Sequence, residues 1–491
     1  RANLPTVNPE PPNREPGTSQ PFCLCVILPR MSTLAPMTAP RRFSHRMPLP
    51  DTSRRQFLRG AALTLAGAAG CAHAPWLAAA PDAARKLGVA VIGAGGMGGY
   101  SMDVGLRENL VAIVDVDDNT IASVLKEKVG DRAKPKVFHD YRKMLDECHR
   151  DLDVVLIATP DHHHAPAAIR AIHLGKHVFA QKPLAHNIYE CAALAKAARE
   201  KKVCTQMGNQ GYCDDTIRRV AEYIAAGAIG SVKETHTVLG RNFGGSGGRP
   251  PSKPVPPQLH WDEWIGPAPF REYHDGLHPF SWRSWRDFGT GTIGDMACHH
   301  VAVPFMALRL WEVRKFAVEC LHTTGGSAEM YPQDNVVCYH IPARDKFPAC
   351  KCYVYDHQRL RPAIMKEWEK KEEREFGEFT LFVGEKGLLG SDGRLIPQSA
   401  HDAFPRPAKT LPRAHGGPIE DLYWCIRNHG TPASNFPDAA GPLTIIALAG
   451  HLAQFAGQGH PVEWDMDGMQ CTNRPEVNQY VKRTYRPGWE V

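Results

Sequence analysis

The chain contains no C-x-x-C pair, although 14 of its 491 residues are cysteine. Cys23, Cys25 and Cys71 fall in residues 1–80, and the eleven that follow are an odd number. Cys350 and Cys352 put two thiols on one face of a strand, with no second pair to match. Neither a disulfide framework nor a four-thiolate zinc site is indicated, and buried free thiols are the expectation. An excess of charge is lacking too. The formal net charge of +6 is the surplus of nine arginines over three acids in residues 1–80, and the remainder is neutral. That excludes the basic footprint of a nucleic-acid or anionic-membrane binder. The uncharged run from Gly60 to Gly70 is too short for a permanent membrane span, and no internal repeat is found.

Residues 1–46 are Pro-rich and without hydrophobic periodicity, so they are expected to be disordered or not translated, with Met47 as the start. Residues 47–80 have the layout of a twin-arginine signal peptide: Arg54-Arg55 stands before an uncharged Gly/Ala/Leu run, Gly60 to Gly70. Export to the periplasm is expected, with cleavage after Ala74 or Ala80, and Cys71 offers a lipid-anchored variant. Twin-arginine substrates fold before export, so folding needs no disulfide.

What is present in force is glycine at the end of an apolar strand. Gly88 to Ile92 runs into Gly93-Ala94-Gly95-Gly96-Met97-Gly98, which spells G-x-G-x-x-G where a strand should turn into a helix. Gly93 permits the tight turn, Gly95 and Gly96 let backbone approach a pyrophosphate, and Gly98 allows close helix packing, with the anion on the helix N-terminus. The next apolar strand ends in Asp115, 17 residues beyond Gly98. An acid there accepts both ribose hydroxyls of NAD and repels the 2′-phosphate of NADP, so NAD is the expected cofactor and NADP the less favoured.

From Lys86 to about residue 212 short apolar strands alternate with amphipathic helices, which predicts a doubly wound parallel sheet of α/β class. The strands are Gly88–Ile92, Leu110–Val114, Val137–His139, Val154–Ala158, His177–Ala180 and Cys204–Gly208, with helices including Ala165–Leu174 and Tyr189–Glu200. From residue 213 to 491 longer alternating runs appear: Val232–Leu239, Val313–Leu321, Val336–Ile341, Ala349–Tyr355 and Glu378–Val383. They predict a second, α+β domain with a large, mainly antiparallel open sheet. Gly244–Pro257 reads as a loop, Lys366–Glu378 as a solvated helix or insertion, and Leu422–Asn428 and Pro442–Gly457 as helices returning to the core.

Two further motifs carry chemistry. Gln181-Lys182-Pro183 follows the fifth strand, at the sheet edge where open α/β sheets bind ligands. Lys182 there can hydrogen-bond a substrate hydroxyl and stabilise developing alkoxide charge; the alternative is a solvated surface lysine. In Gly291 to His299, a helix starting near Gly294 puts Asp295 and His299 on one face. His299 suits a general base and Asp295 an orienting partner; a plain structural helix start reads equally well. Three consecutive histidines, His162 to His164, cannot all aim at one ion, and no metal is expected. Trp282, Arg283, Trp285 and Arg286 read either as an aromatic and hydrogen-bonding wall for a sugar or, for the tryptophans, as core.

Taken together, G-x-G-x-x-G, Thr159-Pro160-Asp161-x-x-His164, the Lys182-Pro183 pair and Gly291-x-x-x-Asp295-x-x-x-His299 resemble the Gfo/Idh/MocA oxidoreductases, and the resemblance extends to residue 491. His278 to Arg283, Asp287 to His299 and the ending Asn473 to Trp489 resemble an exported subgroup. The resemblance implies a Rossmann domain over 86–212 and a substrate-binding and oligomerisation domain over 213–491. It implies catalytic Lys182, Asp295 and His299, and Thr159, Pro160 and His164 near the cofactor with Met97; His162 and His163 read as facing solvent. It further implies hydride transfer on a carbohydrate, with NAD-dependent glycoside hydrolysis or elimination as the alternative, and a homodimer or homotetramer through the open sheet. Gln181 departs from the family's glutamate and removes a carboxylate beside Lys182.

Overall fold

The computed structural model describes residues 85–491, so the expected leader, its twin-arginine signal and Cys71 lie outside the described residues. Six strands, β1 (Gly88–Ile92), β2 (Asn109–Val114), β3 (Lys136–Phe138), β4 (Val154–Ile157), β5 (His177–Ala180) and β6 (Thr205–Met207), form one parallel sheet. Its order is β3-β2-β1-β4-β5-β6, the doubly wound arrangement whose switch point lies between β1 and β4. Strands β1 and β4 are buried at every position, as near-continuous apolar runs between two helical layers must be. The connecting helices are α1 (Gly98–Gly105), α2 (Asp118–Val124), α3 (Tyr141–Cys148), α4 (Asp161–His173) and α5 (Ile188–Lys201), with α6 (Asp215–Ala225) following β6.

Helix α4 begins four residues before the predicted start at Ala165, and Pro166 sits inside it. A proline there removes the N–H that the carbonyl of His162 would accept. Arg483, from the far end of the chain, donates to that carbonyl instead at 2.6 Å.

The second region is a nine-stranded sheet in the order β13-β12-β11-β7-β10-β9-β8-β14-β15. Its members are β7 (Val232–Val238), β8 (Lys315–Thr324), β9 (Asp334–Ile341), β10 (Cys350–Tyr355), β11 (Phe379–Gly384), β12 (Leu388–Gly390), β13 (Leu395–Ile396), β14 (Val462–Asp465) and β15 (Gln470–Cys471). Pairing is antiparallel except between β7 and β10. Helices α7 (Trp261–Ile265), α8 (Gly291–His300), α9 (Ala363–Lys371), α10 (Pro418–Asn428) and α11 (Gly441–Ala456) pack around it or return to the first sheet. Ile419, Leu422 and Ile426 of α10 bury against Val89, Val91 and Leu156, so the end of the chain completes the core beneath the parallel sheet. Helix α11 belongs to Phe436–Ala456, the helical stretch among the described residues long and apolar enough to cross a membrane, but 78% of it is buried in the protein. The eleven described cysteines are free thiols, mostly buried.

Candidate active site

A cavity of about 600 Å³ runs along the C-terminal edge of the parallel sheet. One end is the glycine turn: Gly93, Gly95, Gly96 and Met97 line it with Asp115. Gly93 has φ +81°, and a Cβ on it would meet the carbonyl oxygen of Ala158 at 2.7 Å. A Cβ on Gly98 would stand 2.0 Å from the Gly93 carbonyl oxygen. Gly98 thus serves helix–strand packing and does not line the cavity. Asp115 Oδ2 accepts from the Ala94 N–H at 2.8 Å and Oδ1 from the Asp117 N–H at 3.1 Å. The carboxylate therefore braces the turn that faces it. Desolvation raises its pKa, and the backbone N–H groups at Ala94, Asp117 and Gly95 oppose that rise.

At the far end, Lys182 Nζ donates to Asp295 Oδ2 at 2.8 Å and to the Asp295 carbonyl at 3.2 Å. Arg283 Nε stands 3.4 Å from the other oxygen, Oδ1. Lys182 comes from the loop after β5 and Asp295 from the second turn of α8, so the two motifs, 113 residues apart, meet as a pair. The helix begins at Gly291 and ends at His300, which keeps Asp295 and His299 one turn apart as their spacing predicts. His299 is partly exposed; burial and the Lys182 charge push its imidazole down to about 3, so the ring is uncharged near neutrality. His299 itself is not among the cavity-lining side chains.

Thr159 and Pro160 line the cavity, whereas His164 does not. Its Nδ1 bonds the Pro183 carbonyl at 2.7 Å and its Nε2 the Thr159 carbonyl at 2.9 Å. His164 therefore holds together the two loops that carry Thr159 and Lys182, a positioning role in place of the cofactor contact expected for it. His162 and His163 are buried, contrary to their expected exposure. The first turn of α4 faces the second region of the chain: His162 Nε2 and His163 Nε2 both bond the Trp264 carbonyl at 2.9 Å. Trp282 and Trp285 belong to one buried aromatic cluster with Trp261 and Trp264. Trp282 also lines the cavity with Arg283, whose guanidinium lies 4.2 Å above its ring. Arg286 instead stacks on Phe455, 4.5 Å from the ring centre.

One residue escaped sequence reasoning. Asp161, quoted in the motif but given no role, lines the cavity and accepts from Thr290 Oγ1 at 2.7 Å. Full burial and the neighbouring Asp295 carboxylate raise its pKa well above the usual carboxylate range. Its signal was an acid directly after the proline that ends the β4 loop, which reads equally well as a helix-start residue.

Whether these residues suit a dinucleotide is testable on the lining itself. Thr159 Oγ1 and both amide atoms of Gln181 are buried there without a protein partner. Orphaned buried donors and acceptors are costly unless a ligand meets them. With the glycine turn at one end and polar groups at the β4 and β5 ends, the lining fits a dinucleotide along the switch point.

Residues 87–209 match the family described as "Oxidoreductase family, NAD-binding Rossmann fold", and residues 234–308 match its "C-terminal alpha/beta domain". The chain is 29% identical over 161 residues to levoglucosan dehydrogenase of Pseudarthrobacter phenanthrenivorans, covering 33% of each chain. It is 37% identical over 102 residues to alpha-N-acetylgalactosaminidase of Shewanella oneidensis, 20% of this chain and 21% of that one. The aligned part thus spans a third or less of these relatives. In fold it is similar to the WlbA dehydrogenase of Bordetella pertussis, solved with NADH and UDP-GlcNAcA, at TM-score 0.52 and 17% identity over 77% of this chain and 98% of that one. Over the dinucleotide-binding and adjoining C-terminal segments so matched, the chain is similar to the Gfo/Idh/MocA oxidoreductases.

Proposed function

We propose that the protein is an NAD(H)-dependent oxidoreductase acting on a CH–OH group of a sugar, a polyol or a sugar derivative. The observation that carries this reading is the Lys182–Asp295 pair, 2.8 Å apart, at one end of a cavity whose other end is the glycine turn and Asp115. Gly93, Gly95, Gly96, Met97, Asp115, Thr159 and Pro160 would hold the dinucleotide. A bound nicotinamide supplies a two-electron hydride acceptor or donor. Lys182, aimed by Asp295, donates a hydrogen bond to the substrate hydroxyl and stabilises alkoxide charge as it develops. His299, uncharged at neutral pH, takes the hydroxyl proton. Arg283, Trp282 and the exposed Phe280 offer a hydrogen-bonding and aromatic wall to a hydroxylated ring. The carboxylate of Asp115 favours NAD over NADP.

We further infer export by the twin-arginine route, retention of the cofactor through turnover, and a homodimer or homotetramer formed on the open sheet. Retention follows from export, because a secreted enzyme meets little free NAD. Purifying the protein without added cofactor, denaturing it and quantifying NAD plus NADH should give near one equivalent per chain. A clearly substoichiometric yield, with full activity only on added NAD, would refute retention.

The match to a glycosidase favours a second reading, in which transient oxidation permits elimination of a glycoside and the cofactor is then restored. A panel of sugars and aryl glycosides separates the two. Net NADH accumulation supports the dehydrogenase, and glycoside cleavage without net NADH supports the glycosidase.

A further inference from the structure

Residues 483–491 carry neither helix nor strand, yet they supply part of the cavity wall. Trp489 lines the cavity and is only 3% exposed, although its neighbours in the segment are exposed or half-buried. Its indole meets Tyr141 edge-on with ring centres 5.6 Å apart and His163 at 5.7 Å, and the Arg142 guanidinium lies 3.7 Å from the indole centre. Edge and cation contacts of this kind fix the orientation of a ring as well as burying it.

Hydrogen bonds tie the segment to four helices. Arg483 donates to the His162 carbonyl of α4 at 2.6 Å and pairs with Glu190 of α5 at 2.9 Å. Arg486 donates to Asp262 of α7 at 2.5 Å. The Gly488 carbonyl accepts from Arg170 of α4 at 3.0 Å and from Arg142 of α3 at 3.4 Å. Gly488 has φ +83°, a conformation that glycine adopts without steric cost, and the turn there brings Trp489 to the cavity.

The sheet order identifies the end of the cavity that Trp489 walls. Strands β1, β2 and β3 make one mononucleotide-binding half of the doubly wound sheet, and Asp115 at the end of β2 is placed for the adenosine ribose. The adenine base would lie beyond Asp115 towards the end of β3, where Val116, His139, Tyr141, Trp264 and Trp489 line the cavity. A planar aromatic base suits a wall of that composition.

We propose that residues 483–491 form a strap over the adenosine end of the dinucleotide site, and that the cofactor leaves only when the strap lifts. Arg483 is its fixed base and Trp489 its clasp. The inference rests on the dinucleotide reading and adds what holds the cofactor between turnovers. Beyond Arg483 the one fully buried side chain is Trp489, so residues 486–491 can open locally without global unfolding.

The test loads the full folded protein with NADH, adds excess NAD and follows release by nicotinamide fluorescence. Trp489→Ala should release NADH about tenfold or more faster than wild type, as loss of an aromatic contact to a base predicts, and Trp489→Phe should stay within about threefold. Equal release rates for wild type and Trp489→Ala would overturn the strap and leave the dinucleotide reading standing, whereas a wild type that binds no NADH would overturn both. Should the alanine variant fail to fold, hydrogen exchange on the wild type decides. Bound NADH should slow amide exchange across residues 486–491 by about fivefold or more, and unchanged exchange there would refute the strap.

Discussion

Lys182 and Asp295 form an ion pair at 2.8 Å with side chains only 15% and 4% exposed, and the pair joins the end of β5 to α8. Asp161 lies close enough to raise this from a pair to a cluster: its neutral form beside Asp295 avoids two adjacent buried charges. The ammonium is therefore aimed by the single carboxylate of Asp295, at 2.8 Å.

Replacing Lys182 by methionine should therefore lower turnover on the identified substrate about a hundredfold or more and leave dinucleotide affinity nearly intact. His299→Ala should do the same. Steady-state kinetics alongside dinucleotide titrations check both, and wild-type turnover in either variant would remove that residue from the chemistry.

Asp115→Ala should weaken NAD about tenfold or more, because a charged acceptor is lost at a cost of about 1.5–3 kcal/mol. It should also relax discrimination against NADP. The Ala94 N–H loses its acceptor in the same variant, so NADP affinity should not rise above that of wild-type NAD. Unchanged dissociation constants for both dinucleotides would contradict the assignment.

Acid should destabilise the fold. Burial depresses His163 to about 3 and His164 and His451 to about 4, and lowers His162 and His186 as well. Each such histidine binds a proton more readily unfolded than folded. Its contribution is therefore present above the ordinary value of about 6.5 and lost as pH falls towards the folded one. Asp115, Asp161 and Asp356, whose pKa values are raised by burial, act oppositely but are fewer. The melting temperature should fall between pH 7 and pH 5; a flat or rising profile would show that these histidines are not buried as described.

Arg483→Met should destabilise by about 3 kcal/mol or more. It strands the fully buried Glu190, paired with Arg483 at 2.9 Å, and leaves the His162 carbonyl without the donor that replaces the missing Pro166 N–H. Denaturant melts measure this directly, and a loss under 1 kcal/mol would mean the chain end is not a brace for α4.

The parts of this architecture legible in sequence are those set by local periodicity and by glycine chemistry. Strands β1 to β6 fall within a residue or two of their predicted positions, and for β1, β2, β4 and β5 the reason is that buried parallel strands read as nearly uninterrupted apolar runs. Lys182 and Asp295 were legible as separate motifs. Their contact was not, since no spacing encodes a meeting across 113 residues. His162 and His163 were misread because polar side chains give no sign of the Trp264 carbonyl that receives them. The short strands β12 to β15 lack the length that makes alternation visible.

The most direct test is a single-turnover experiment on holoprotein carrying NAD, mixed with a panel of sugars and aryl glycosides while nicotinamide absorbance is followed. The wild type should show reduced nicotinamide with at least one hydroxylated substrate, lasting or transient, and Lys182→Met should show none. A protein that binds NAD yet never reduces it with any member of the panel, or a Lys182→Met variant that reduces it as fast as wild type, would contradict the account.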